Sequence, residues 1–276
     1  MIVILLGSLV VLGLAGAAGL GLWRQGQDRR HARDVWAAIG GAAETDPPRF
    51  DPGLLAEQPE IARRYFAAAI EPGTPLHRQV RLTMQGEFRM NGKALPMAAD
   101  QILAPPALGF VWKARIGSGL MRFSGSDGYF TGGGRPESWT RFWLAGLVPL
   151  ARAGGGNDHL RSARTRVMME SVWVPATLLP QNGAVWRQIG PDRAEISFPP
   201  DTGVAPMHLT LDAAGRITEV KAQRWSDANP EKTYRLQSFG GRILRSERFG
   251  GFLIPVEVEL GNLWGEPGFD AFFAAR

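Results

Sequence analysis

Glu170 is the carboxylate whose surroundings most invite chemistry. It lies in an apolar stretch, Val167-Met168-Met169-Glu170-Ser171-Val172-Trp173, where a charged group needs a partner or a task. Burial favours the neutral form of any carboxyl, which can then donate a proton or contact a ligand. Paired with an arginine of a neighbouring strand, such as Arg115 or Arg224, the same group is structural, and the ion pair is the expected arrangement. An enzyme built on this chain would use Glu170 as acid and base, with Asp127, Gln101 and Arg115 as the other convergent polar groups. These come from separate elements, so the sequence assigns no catalytic residue.

The familiar chemical signatures fail on spacing. None of His31, His77, His159 and His208 stands four residues from another, so no helical zinc pair exists, and the absence of cysteine removes thiolate metal sites, disulfides and cysteine nucleophiles. His159 and Glu170 share a helix face but lie about 16 Å apart along its axis, too far to act on one small group. Gly86-Glu87-Phe88-Arg89-Met90-Asn91-Gly92-Lys93 resembles a phosphate loop, yet it has one residue too many between its glycines and Ala94 where a hydroxyl should bind magnesium. Gly132-Gly133-Gly134 and Gly154-Gly155-Gly156 lack a strand-loop-helix setting, and no Gly-x-Ser-x-Gly elbow occurs. No metal, cofactor or nucleic-acid site is expected.

The aromatic content points elsewhere. Of the nine tryptophans, Trp112, Trp139, Trp143, Trp173, Trp186, Trp225 and Trp264 belong to the folded body. Most are expected in the core, and those facing a concavity would form an apolar surface for an acyl chain or another hydrophobic ligand. The ligand-facing candidates are Trp112, Trp173, Trp186 and Trp225, with Gln101, Arg115, Asp127 and Glu170 as polar companions. The largely uncharged residues 142–150 read as a lid or membrane-surface contact.

The elements that must position these groups are mostly strands. Val80, Leu82, Met84, Phe88 and Met90 alternate with polar residues, and Asn91-Gly92 is the preferred centre of a two-residue hairpin, so a second strand should return from Lys93 to about Leu103. Phe110, Trp112, Ala114 and Ile116 give a third strand, and Asp127-Gly128 reads as the turn of a further hairpin. After a mostly helical interruption, strands resume from residue 185 to residue 260. About ten strands joined by tight turns predict one large curved antiparallel sheet, half-barrel-like, in an α+β domain. Two helices, near residues 57–70 and 158–173, are expected to cover it.

Residues 1–23 carry no charged side chain and as a helix would span roughly 34 Å, enough to cross a ~30 Å hydrocarbon core. We read them as an uncleaved transmembrane anchor, residues 24–56 as a basic juxtamembrane segment and linker that builds no core, and residues 57–276 as the β-rich domain. Arg24, Arg29, Arg30 and Arg33 against Asp28 place +3 of the chain's net +5 directly after the anchor, so the folded body is nearly neutral and nucleic acid is not an expected partner. The cluster fits contact with anionic lipid, with Trp23 at the headgroup level, and places the domain on the cytoplasmic side of a cell (inner) membrane, the periplasm being the alternative. Gly13, Ala17 and Gly21 share one helix face of the small-residue kind that permits self-association.

Trp173-Val174-Pro175-Ala176-Thr177-Leu178-Leu179-Pro180, with Val185-Trp186 after it, resembles the signature block of a bacterial family known only by a domain-of-unknown-function label. Further blocks similar to that family are Gln101 before Gly109-Phe110-Val111-Trp112-Lys113-Ala114, Asp127-Gly128-Tyr129, and Gly251-Phe252-Leu253-Ile254-Pro255 before Trp264. The resemblance implies no activity. The run of hairpins is also similar in organisation to the periplasmic lipoprotein carriers, whose half-barrel encloses acyl chains. Together these readings predict a membrane-held domain that binds a hydrophobic small molecule or membrane lipid, with a protein-interaction or scaffold module as the alternative.

Overall fold

The computed structural model describes residues 2–199 and 202–276, side chains excepted at residues 2–15, 17 and 270. The alternation that begins at Val80 becomes a meander of six strands: β1 (Val80–Met90), β2 (Lys93–Ala104), β3 (Gly109–Ile116), β4 (Phe123–Phe130), β5 (Glu137–Leu144) and β6 (Val148–Gly154). Asn91 and Gly92 turn the first hairpin with φ of 52° and 74°, the left-handed pair that suits the twist of the strands they join. A second meander comprises β7 (Val185–Gln188), β8 (Arg193–Ser197), β9 (Met207–Leu211), β10 (Ile217–Ser226), β11 (Arg235–Phe249), β12 (Phe252–Asn262) and β13 (Asp270–Ala275). Pairing of β13 with β1 joins the two into one antiparallel sheet of thirteen strands, three more than the sequence count, in the order β6-β5-β4-β3-β2-β1-β13-β12-β11-β10-β9-β8-β7.

The sheet curves around its helical contents. α3 (Asn157–Met169) touches β3, β4, β5 and β6 from one half and β10 from the other, which requires the two halves to face each other across it. The helix expected to reach Trp173 ends at Met169; residues 170–182 continue as three short 3-10 turns that carry the tryptophan-proline block. α2 (Glu60–Ala69) is the second covering helix. Its Tyr65 and Phe66 pack on Trp186 with ring centroids 5.2 Å and 5.3 Å away. Phe50 and Leu55, ahead of α2, are buried in the same core.

Three expectations are corrected. The segment after Trp23 is no linker: α1 runs unbroken over Ile2–Gly41. Its residues Gln25, Asp28, Ala32, Val35 and Ile39 are buried at helical spacing. Ala32, Val35 and Ile39 form a second core with Ile102, Val111 and Trp139 on the outer face of the sheet. Asp127-Gly128 is not a turn but the middle of β4, because a Cβ at Gly128 would lie 2.3 Å from the Trp139 ring; the glycine makes room for an indole. Residues 142–150 are not a lid but the end of β5, a turn and the start of β6. Trp139 and Trp143 are buried under α1 while Ser138 and Phe142 are buried on the inner side, so β5 is covered on both faces and shows no alternation.

The anchor expected over residues 1–23 lies at residues 1–15 and 17 outside the described side chains. Among the described residues no helix is long and apolar enough to cross a membrane.

Candidate functional site

Between the inner face of the sheet and α3 lies a cavity of about 450 Å³. Its wall is built from alternate residues of many strands, among them Met84, Phe88, Ile116, Phe142, Val220 and Phe239. Met90 and Leu150 also line it and are exposed, so the cavity opens at the end of the sheet that carries the β1–β2, β3–β4 and β5–β6 turns.

One part of the wall is polar. Strand register sets Gln101, Trp112, Asp127 and Thr140 side by side across β2, β3, β4 and β5, all on the inner face. Above this row α3 presents Arg166 and, at its C-terminal cap, Glu170. Arg166 donates from Nη1 to Asp127 and from Nε to Glu170 Oε1 at 2.7 Å. Glu170 Oε2 accepts from Gln101 Nε2 at 2.5 Å, and Asp127 Oδ1 accepts from Thr140 Oγ1 at 2.8 Å. All four carboxylate oxygens therefore have donors. Burial desolvates Arg166 and works to lower its pKa, but Glu170 and Asp127 outweigh that and raise it.

His159 extends the network away from the cavity. Its Nε2 is 3.1 Å from Thr140 Oγ1 and its Nδ1 2.7 Å from Ser138 Oγ. Thr140 spends its proton on Asp127, so the network assigns the hydrogen of His159 to Nε2 and leaves Nδ1 to accept from Ser138. Burial pushes His159 below its ordinary pKa and Arg224 adds to this, against the pull of Asp127 and Asp227. The imidazole is held neutral and fully bonded.

Arg224 of β10 faces the cluster from the opposite half of the sheet. Its Nε donates to Ser162 Oγ at 3.1 Å, and its guanidinium lies 5.0 Å from the centroid of Phe239. Desolvation and the charge of Arg166 lower its pKa to about 10, which still leaves it charged at neutral pH. Among the described residues no carboxylate stands within ion-pair distance of it.

Of the residues singled out in the sequence, the cavity gathers Gln101, Trp112, Asp127, Glu170 and Trp173. Trp173 is tied by its indole N–H to the carbonyl of Pro255 at 3.0 Å. Three others lie elsewhere. Arg115 points from β3 to the outer face, where it lines a groove beside α1. Trp186 is core, stacked on Tyr65 and bonded to the Leu178 carbonyl at 2.8 Å. Trp225 lies under Arg161 and donates to Asp158 at 2.7 Å. The partner of Glu170 is neither Arg115 nor Arg224 but Arg166 of its own helix, four residues earlier, a spacing readable in the sequence. Among the described residues no group of three or more metal-ligating side chains occurs.

On the outer face, Asp28 fixes α1. It is buried and accepts from Trp143 Nε1 at 2.9 Å and from Arg152 at 2.5 Å and 3.2 Å. Trp23, Arg24, Arg29, Arg30 and Arg33 are all exposed on the same helix. A Cβ at Gly21 would lie 2.9 Å from the Leu147 carbonyl oxygen, so this position of the small-residue stripe packs on the chain's own domain. Gly13 and Ala17 of that stripe lie outside the described side chains.

No curated protein matches this chain, and no solved structure does. Residues 48–274, which take in the whole sheet from β1 to β12 and most of β13, match the model of a family described as a family of unknown function, DUF6544, and the chain belongs to that family.

Proposed function

We propose that this protein binds a hydrophobic small molecule or lipid in the cavity of its curved sheet and is held at a membrane by its N-terminal segment. The observation that carries the first half is the cavity itself. At about 450 Å³, apolar over most of its wall, with a few polar groups converging on one part, it has the size and make-up of a small-ligand site. Nothing polar is left unsatisfied among the carboxylates, and that favours holding a ligand over reacting with one.

Support for the second half comes from where apolar side chains are exposed. The β3–β4 turn bears Leu120 at 87 % exposure and Met121 at 71 %, and the β5–β6 turn and the start of β6 bear Leu147 and Val148. These turns are neighbours, since the Ala145 amide donates to the Arg122 carbonyl at 2.9 Å. α1 passes the same end with Leu20, Leu22 and Trp23 exposed. An uncharged segment leaving the domain beside an apolar rim fits a bilayer interface, and the exposed arginines that follow fit anionic headgroups on the cytoplasmic side. In this arrangement the cavity opens toward the lipid.

The test is extraction. Lipid or another aliphatic molecule should be recovered by mass spectrometry from the purified full chain and be depleted from Ala151→Trp, whose indole would fill the cavity. Equal recovery from both proteins, or none from the wild type, would defeat the binding reading. Separately, the full chain should stay in the membrane pellet through an alkaline carbonate wash; release by that wash would defeat the anchor.

A further inference from the structure

We propose that the cavity ligand is an aliphatic chain ending in a carboxylate, and that Arg224 binds that carboxylate. This rests on the reading of the cavity as a ligand site and specifies its chemistry.

The argument is one of donors and acceptors. In the polar cluster both oxygens of Asp127 and both of Glu170 are engaged, by Thr140, Arg166 and Gln101. A cationic or donor-rich head would find no free acceptor among them. Arg224 is in the opposite condition. Its Nε is bonded to Ser162, while among the described residues Nη1 and Nη2 have no hydrogen-bond partner. It lines the cavity, half-buried, and those two nitrogens are open to an acceptor that enters. Ion pairing sets Arg224 apart as well, although the four charges of the cluster balance. Asp127 and Glu170 share Arg166 as their ion-pair partner, and neither reaches Arg224.

Geometry narrows the head to a carboxylate. Two terminal guanidinium nitrogens form a fork that two oxygens complete. A phosphate would bring further oxygens and a second charge, and the site has little more to meet them: Gln101 and Thr140 are engaged, the unpartnered Nη2 of Arg166 belongs to a guanidinium already paired with Asp127 and Glu170, and the Trp112 indole N–H, though unmatched, is shut inside the wall. The remaining wall, with Phe88, Ile116, Phe142 and Phe272 between the cluster and the exposed Met90 and Leu150, suits an aliphatic tail that points to the opening.

Two probes of equal chain length separate head from tail: 11-bromoundecanoate and 11-bromoundecanol, whose bromine quenches nearby tryptophan fluorescence. The full chain, held in amphipol free of detergent, is titrated with each. Saturable quenching is expected from both, lost in Trp112→Phe/Trp173→Phe, with the acid binding about tenfold or more tightly than the alcohol, the size of a charged hydrogen bond. Arg224→Met should abolish that preference and leave the alcohol curve in place, whereas Arg224→Lys should keep part of it. Equal binding of acid and alcohol by the wild type, with quenching intact, overturns the carboxylate site and spares the cavity. Quenching by neither probe, or quenching that survives loss of both tryptophans, overturns the cavity reading as well. Should Arg224→Met fail to fold, the wild-type comparison and the lysine variant decide the matter alone.

Discussion

Asp127 in the middle of β4 and Glu170 at the end of α3 are joined through one guanidinium, that of Arg166. The helix is thereby tied to the floor of the cavity by charge, and the tie is part-buried. Arg166→Met leaves two part-buried carboxylates without their cation and should cost about 1–3 kcal/mol of stability in chemical denaturation. Adding Asp127→Asn and Glu170→Gln to that variant should recover part of the loss. If the triple variant is no more stable than the single one, the carboxylates are not the source of the cost.

Asp28 makes the corresponding tie on the outer face. Asp28→Ala strands the Trp143 indole N–H and frees Arg152, so α1 should loosen from the sheet by about 1–3 kcal/mol. Amide hydrogen exchange reads this directly: protection over residues 25–39 should fall while that of β2 and β3 holds. A uniform fall across the domain would mean that α1 and the sheet unfold only together.

Stability should fall in two steps as the solution is acidified. His159 has a folded-state pKa below its ordinary 6.5, so the unfolded chain binds the proton first and stability declines as pH drops from 6.5 toward the folded value. Glu195, hydrogen-bonded by Arg187, and Asp212, whose bonds from Arg216 and Ala214 outweigh its burial, lie below their ordinary 4.5 and 3.8; their stabilisation is lost at lower pH, as it falls through the depressed values. His159→Asn should remove the upper step and keep the lower one. Denaturation midpoints measured from pH 7 to pH 3 would show whether the upper step belongs to this histidine.

Gly128→Ala tests why the sequence misleads at Asp127-Gly128. A methyl group there enters the space of the Trp139 indole, and overpacking of that kind costs about 1–3 kcal/mol. A neutral effect on the thermal midpoint would return the glycine to the role of a turn residue.

What was legible depended on how many faces of an element are covered. β1 alternates, since its outer face stays open, and its hairpin with β2 was read nearly to the residue. β5 was hidden, because α1 lies on one side of it and the cavity contents on the other; its run of Trp139, Phe142 and Trp143 carries no period of two. The stripe of α1 does not read as apolar because it begins with Gln25 and Asp28, polar residues buried by partners distant in sequence. In the cavity, Gln101, Trp112 and Asp127 were named singly, but their alignment is a matter of strand register that only the fold supplies. Arg166 is one arginine among many in this chain, although its spacing of four from Glu170 is readable in the sequence.

The position of β13 sets an order of assembly. It is the middle strand of thirteen, yet the ribosome makes it after every other strand. Until it emerges, β1 and β12 are open edges of two half-sheets, and Phe272 and Phe273, which line the cavity, have not been placed. The nascent protein therefore carries β1 as an unclosed edge through most of the synthesis of the sheet, joined by β12 only shortly before β13, and the container becomes a container only when its keystone is inserted.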